Sequence, residues 1–155
     1  LVSPERKIEC RKYLKPYWFD RIEGNLPAQI YCKKQYIDSV YNALKDIPHQ
    51  RVWRRNEIPA YLHYDSNKNI GDVVVSPDEG WLVYDQKVTT GGMHGYDPEY
   101  SDMHALFRAM GPDFKKTEIP HFRNVDVYDL LCKLLNITPA KNDGNLEEIK
   151  SILKN

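Results

Sequence analysis

Apolar and polar positions change period several times along this chain. Ile37, Val40, Tyr41, Leu44 and Ile47 recur at spacings of three and four, which predicts an amphipathic helix over 36–46, stopped by Pro48. Before it, residues 17–22 and 28–32 are rich in aromatic and β-branched side chains, and Gly24-Asn25 and Pro27 supply a turn between two strands. After it, Val52 and Trp53 open a short strand that Glu57-Ile58-Pro59 ends. Beyond the polar turn over 65–69, three consecutive valines lie in a strand over 72–76. Pro77-Asp78-Glu79-Gly80 then leads to 81–84, which predicts a β-hairpin because proline presets φ and glycine tolerates a positive one. Strand, strand, helix, strand and hairpin describe a compact α+β unit over 16–88. Residues 1–15 are charged, with at most a short helix through 8–14.

The pattern changes at Thr89-Thr90-Gly91-Gly92, where a glycine-rich loop runs through Met93-His94-Gly95-Tyr96. An apolar stretch over 105–110 predicts a strand, ended by Gly111-Pro112. Asn124 is placed to cap a helix with Val127, Leu130, Leu131, Leu134 and Leu135 on one face. Asn145 followed by Glu148 resembles a capping box for a last short helix carrying Leu146, Ile149, Ile152 and Leu153. Strand followed by helix over 105–136 reads as the closing edge of a layered α/β sheet.

Composition narrows the classes. The chain has 155 residues, 41% of them hydrophobic, with 22 Lys+Arg against 22 Asp+Glu. One domain of that size buries roughly 68–70% of its unfolded surface, so wholesale disorder is excluded. Zero net charge removes the electrostatic footprint of a dedicated nucleic-acid or anionic-membrane binder. No apolar run approaches the roughly 20 residues that a transmembrane helix needs. Cys10, Cys32 and Cys132 are too few and too scattered for a disulfide scaffold or a CxxC metal knuckle, and their odd number leaves at least one thiol free or intermolecular. The opening Leu1-Val2-Ser3-Pro4, without methionine or signal peptide, reads as an internal piece of a longer protein.

Among candidate chemical groups, His94 stands first. Glycines on both sides let the backbone bend sharply and present an imidazole at a loop tip. Catalytic zinc needs such presentation, with the second ring nitrogen held by a partner; Asp97, Asp102 or a backbone carbonyl could serve. On spacing alone a turn residue is the commoner reading, since no HExxH and no pair of ligands lies nearby. His49 and His121 fall in polar loops, and His63 and His104 among strand-like neighbours. Arg51, Arg54 and Arg55 around Trp53 could form a basic, aromatic surface for nucleic acid, but Glu57 and the neutral charge favour a solvated strand end with a buried tryptophan. Tyr13, Tyr17, Trp18 and Phe19 read as core, and the stripe over 127–135 as packing.

Several strings together resemble one family. They are Gly91-Gly92-Met93-His94-Gly95-Tyr96-Asp97-Pro98, Ser101-Asp102-Met103-His104-Ala105-Leu106-Phe107 and Gly111-Pro112-Asp113-Phe114, followed by Phe122-Arg123-Asn124-Val125-Asp126-Val127-Tyr128, Leu134-Leu135-Asn136-Ile137-Thr138-Pro139-Ala140 and Asn142-Asp143-Gly144. With Trp53-Arg54-Arg55-Asn56-Glu57-Ile58-Pro59, Leu62-His63-Tyr64 and Ile70-Gly71-Asp72, they are similar to the nucleotide pyrophosphatase/phosphodiesterase family of the alkaline phosphatase superfamily. The likeness covers about 51–145, most strongly from 91 onward, and is loose over 1–50.

The resemblance implies an alkaline-phosphatase-like α/β fragment. In it, 1–15 connects from an absent N-terminal catalytic part, 16–88 is a small α+β insertion, and 89–155 carries the closing strand and helices of the main sheet. It implies two zinc ions bridging a phosphate ester and a threonine or serine nucleophile upstream of this chain. His94 matches the ligand that a late glycine-flanked loop supplies to one of the ions. No catalytic residue then falls in these 155 residues, and the piece alone is expected to be inactive. The implied substrate is a small phosphate ester, a nucleotide or nucleotide-like phosphodiester or pyrophosphate. Phosphomonoesters or phospholipid head groups are the alternative within the superfamily, and a non-catalytic binding or scaffold module the alternative outside it. The missing N-terminal part of the same protein is the implied partner, and a secreted or periplasmic protein the implied setting.

Overall fold

The computed structural model describes residues 2–64, 67–84 and 91–154. Asp65 and Ser66 of the expected polar turn, and the expected boundary at 88/89 with Thr89 and Thr90, lie outside the described residues. The chain divides into two compact units, 1–105 and 106–155.

The first unit is built on a four-stranded antiparallel sheet. In chain order its strands are β2 (Phe19–Glu23), β3 (Ala28–Cys32), β4 (Gln50–Arg54) and β5 (Val73–Pro77), following a short β1 (Lys7–Ile8) that lies outside the sheet. Their spatial order is β2-β3-β5-β4. β5 is therefore central, which explains the unalternated valines: Val73 and Val75 join the core shared with Ile30, Val40 and Leu44, while Val74 packs with Ile58 and Ile70 on the other face. A strand covered on both faces has no reason to alternate. The helix α1 (Ile37–Leu44) lays the fully buried Val40 and Leu44 into the first of these cores, as its spacing predicts.

The hairpin expected across 77–80 does not form. β6 (Leu82–Val83) pairs instead in parallel with β1, Lys7 opposite Leu82 and Ile8 opposite Val83. The reason is edge arithmetic: both edges of β5 are already taken, by β3 through Val73 to Val75 and by β4 through Val73 to Pro77. A turn sequence can reverse the chain, but it cannot supply a third edge. Within 8–14, the expected short helix is reduced to one 3-10 turn, Cys10–Tyr13.

Among its described residues the second unit has no strand, only an isolated bridge between Phe114 and Leu153. Its core is Leu130, Ile149, Ile152 and Leu153, flanked by Phe114, Phe122 and Leu134. Helix α2 (Asp126–Leu134) carries Leu130 inward, but Leu131 and Leu135 are exposed, so the 127–135 stripe is only partly packing. Asn124 does not cap α2. Its N-terminus is held by Asp126, whose carboxylate accepts the Arg123 N–H at 3.2 Å and the Asn145 N–H at 2.9 Å. Asn145 does act as a cap, accepting the Glu147 N–H and donating to Glu148, but it opens two 3-10 turns, Leu146–Glu148 and Lys150–Ile152, rather than one helix. Residues 105–110 form no strand, contrary to expectation. Leu106 and Met110 are almost wholly exposed, and apolar character without a neighbouring edge leaves backbone N–H and C=O groups nothing to pair with. The mixed α/β class stands on the two sheets and two α-helices seen among the described residues.

Candidate functional site

His94 sits on an exposed stretch between two anchors. On its N-terminal side, Val2 donates its N–H to the Gly91 carbonyl at 3.1 Å. On its C-terminal side three successive residues are fastened. Gly95 has φ +97°, and a Cβ there would lie 2.6 Å from the Leu26 carbonyl oxygen, so only glycine brings the chain this close. Tyr96 is buried beside Val2 and Leu82 and donates its hydroxyl to the Trp81 carbonyl at 3.0 Å. Asp97 is 5% exposed. Between the anchors, Gly92, Met93 and His94 face solvent.

The Asp97 anchor reaches far along the chain. Its Oδ2 accepts the Tyr61 hydroxyl at 2.5 Å and lies 2.8 Å from Arg51 Nη1. Its Oδ1 accepts the Glu99 N–H at 3.0 Å. Burial opposes ionisation of this carboxyl, but the Tyr61 hydroxyl, the Glu99 N–H and the Arg51 guanidinium outweigh it and hold the group below the usual carboxylate range. The same hydrogen bond to Asp97 raises Tyr61 above the usual phenol range. Strand alternation explains why Arg51 is available: Val52 faces the α1 core, so Arg51 and Trp53 share the opposite face, where Trp53 packs against Val74. The Arg51 Cζ lies 5.6 Å from the centre of the Trp53 ring.

The structure separates the other sequence candidates from His94. Neither Asp97 nor Asp102 is hydrogen-bonded to its imidazole; Asp97 is committed to Arg51, Tyr61 and Glu99, and Asp102 to Glu79. His49 is not simply solvated, since its ring stacks on Trp81 at 3.9 Å and Nδ1 lies 3.7 Å from Asp78. The three arginines are not a free basic surface. Arg51 pairs with Asp97, Arg54 with Asp38 and Glu57, and Arg55 with Asp72. Phe19 is core, whereas Tyr13 and Tyr17 are half exposed. All three cysteines are free thiols.

Sequence reasoning placed Arg51 at a solvated strand end, without its Asp97 partner, and did not single out Tyr61. No local pattern marks them, because their common partner lies 46 and 36 residues away; the one usable signal was strand alternation, which turns Arg51 away from the α1 core.

A catalytic zinc takes three protein ligands and a water. Among the described residues no group of three His, Cys, Asp or Glu side chains converges in a way that could hold a metal ion. His94 fits the part of a single contributed ligand: its imidazole is exposed, and it carries no hydrogen bond or ion pair to a described residue. No described helix is long and apolar enough to cross a membrane.

Comparison with known proteins gives the family of the chain. The family model for type I phosphodiesterase / nucleotide pyrophosphatase matches residues 2–97, so it covers 2–50, where the sequence likeness looked loose, and stops at 97 within the stretch where it looked strongest. Human ectonucleotide pyrophosphatase/phosphodiesterase family member 5 is 36% identical over 97% of this chain and 32% of its own length. A bis(5'-adenosyl)-triphosphatase of Xenopus laevis is 37% identical over 99% of this chain and 34% of its own. The solved structure of human member 5 superposes with a TM-score of 0.90 at 33% identity, covering 99% of this chain and 42% of that one. An inactive murine member 5 in complex with AMP gives 0.89 at the same identity, with the same coverage. The chain spans about a third of the length of these two curated relatives. A profile match over well more than half the residues, a fold match over nearly all of them and the motifs around His94 lead to one conclusion: this chain belongs to the type I phosphodiesterase / nucleotide pyrophosphatase family.

Proposed function

We propose that the whole protein containing this chain is a zinc-dependent hydrolase of phosphodiester or pyrophosphate bonds in nucleotides or nucleotide-like substrates. His94 supplies one ligand to one of two zinc ions, and the threonine or serine nucleophile lies outside these 155 residues. The observation that carries this reading is the exposed imidazole of His94, the outward-facing donor of a loop that is fastened on both sides. Relatives support the substrate class: one is named a bis(5'-adenosyl)-triphosphatase, and another is solved with AMP. Both names describe adenine nucleotides with phosphate esters or anhydrides.

Two zinc ions would neutralise phosphate charge and lower the pKa of the attacking hydroxyl. This chain's own contribution is to present an imidazole on a loop tied to the sheet unit on both sides of its tip. Residues 16–88 are read as an insertion beside the catalytic domain and 89–155 as that domain's C-terminal segment, with 1–15 connecting them to the part upstream. Of the secreted and periplasmic settings, the relatives' names, ectonucleotide enzymes and venom phosphodiesterases, support the secreted one.

The test is His94→Ala in the whole protein, with zinc content and hydrolysis of a nitrophenyl phosphodiester measured together. One zinc should be lost or weakened and turnover should fall roughly 100-fold. Full zinc occupancy with an unchanged rate would overturn the assignment. Faster cleavage of the nitrophenyl monoester than of the diester would favour the phosphomonoesterase alternative. The 155-residue piece, purified alone and supplied with zinc, should show no turnover, because one imidazole cannot retain a catalytic ion and the nucleophile is elsewhere.

A further inference from the structure

We propose that Asp97, gripped by Arg51 and Tyr61, is a positioning residue that locks the His94 loop to the sheet unit and so sets the direction in which the imidazole meets its ion. This rests on the reading of His94 as a metal ligand, and it assigns Arg51, Tyr61 and Asp97 a task that a structural core residue does not have.

The geometry carries the inference. Asp97 lies three residues beyond His94, a span of at most roughly 11 Å when extended. Every one of the residues from Gly95 to Asp97 is fixed to a different segment: Gly95 against the Leu26 carbonyl, Tyr96 to the Trp81 carbonyl, and Asp97 to β4 and to the 3-10 turn Ala60–Leu62. Asp97 also fixes the backbone on its C-terminal side, since its Oδ1 takes the Glu99 N–H and its carbonyl takes the Tyr100 N–H at 3.1 Å. Within 91–97, Gly92, Met93 and His94 are the residues for which no such tie to a described residue is seen.

The anchor is also exclusive. Arg51 Nε and Nη2 have no hydrogen-bond partner among the described residues, so Asp97 is the group that neutralises this guanidinium. A ligand held this way loses its conformational freedom when the protein folds, not when metal binds, and metal affinity rises accordingly. A buried carboxylate serving only to close a loop would have no such linkage to the ion.

The experiment uses the whole protein and four variants: Asp97→Asn, Arg51→Met, Arg51→Lys and Tyr61→Phe, with His94→Ala as reference. Zinc affinity is measured by competition with a chromophoric chelator. Amide hydrogen exchange across 92–99 is measured in the zinc-free protein, and thermal unfolding shows which variants are folded. Asp97→Asn and Arg51→Met should weaken one zinc about tenfold and speed exchange at 95–99. Arg51→Lys should recover most of the affinity, because one cation suffices for the single Nη1–Oδ2 contact. Tyr61→Phe, which removes one hydroxyl from a half-exposed ring, should give a smaller loss in the same direction, and it decides the matter if Asp97→Asn does not fold. Unchanged affinity in folded variants, while His94→Ala loses zinc, would overturn the positioning role and leave the ligand reading intact. Weaker zinc without faster exchange would overturn it too, since the loop would then be as ordered as before. If His94→Ala itself leaves zinc untouched, the ligand reading falls and this inference falls with it.

Discussion

Asp97 and Asp126 are the two buried charged residues among those described, one in each unit, and they are used differently. Asp97 reaches 46 residues back to Arg51 and 36 back to Tyr61, onto a sheet whose core is complete without it. Asp126 reaches Arg123, three residues away, and Asn145, nineteen away, in a unit whose buried core is four aliphatic side chains. In the first unit apolar burial holds the fold, and the carboxylate is left to place a loop. In the second, burial is thin, and the carboxylate itself joins α2 to the segment that closes the core.

The largest effect should come from removing the second of these. Asp126→Ala leaves the part-buried Arg123 and Asn145 N–H groups without their acceptor, which costs about 3 kcal/mol by the usual penalty for such groups. Denaturant unfolding of the whole protein should show the loss in 106–155, with zinc affinity unchanged. If zinc weakens as much as with Asp97→Asn, the contrast between the two carboxylates is false.

Two crowded glycines give a matched pair of smaller effects. A Cβ on Gly95 meets the Leu26 carbonyl at 2.6 Å with φ at +97°, and a Cβ on Gly144 meets the Val125 carbonyl at 2.5 Å. Each alanine forces backbone against backbone and should cost about 2 kcal/mol. Gly95→Ala should also weaken zinc, since it displaces the residue after His94, whereas Gly144→Ala should not. Gly92→Ala, where nothing lies within 4 Å, should be neutral in stability. A destabilised Gly92→Ala protein would mean that the tip is packed rather than presented.

Much of the first unit was legible because its elements obey local rules. The 3.6-residue period of α1, the turn after Glu23 and the β-rich runs sit where the sequence puts them. What failed was pairing. The sequence of β6 is a good second hairpin strand, but which edge it joins depends on β3 and β4 having already taken both sides of β5. The second unit was read worse for the same reason: residues 105–110 have strand chemistry and no edge to meet. His94 was singled out because the glycines around it are a local mark. Its anchor was not, since Arg51 and Tyr61 become informative only when the fold brings them to Asp97.

The ionisation of Asp97 offers a gentler probe of the same anchor. Its native carboxyl is held below the usual carboxylate range, so it contributes stability that is fully present above the ordinary value near 3.9. That contribution is lost as pH falls through the lower native value. Between about pH 4 and pH 8 the anchor should therefore be insensitive to pH, and the protection of the 95–99 amides, taken relative to their intrinsic exchange rates, should fall only in stronger acid. Asp97→Asn should flatten that acid response. A loss of protection centred near neutral pH would show that another group governs the loop.

The smallest effect uses the thiols as reporters. Burial pushes Cys10 up to about 12, and burial together with Asp72 and Asp20 pushes Cys32 up to about 12 as well. Because the thiolate is the reactive form, both should be nearly inert toward iodoacetamide at pH 8 in the native protein. Cys132, buried on α2, lies in the unit with the thinner core and should be labelled whenever that unit opens. Peptide mapping by mass spectrometry should find Cys132 modified ahead of Cys10, by roughly tenfold or less in rate. Asp126→Ala should widen that gap by opening the second unit alone. Equal labelling of Cys10 and Cys132 in that variant would mean that the two units unfold together, and the division of labour between the two carboxylates would have no consequence for stability.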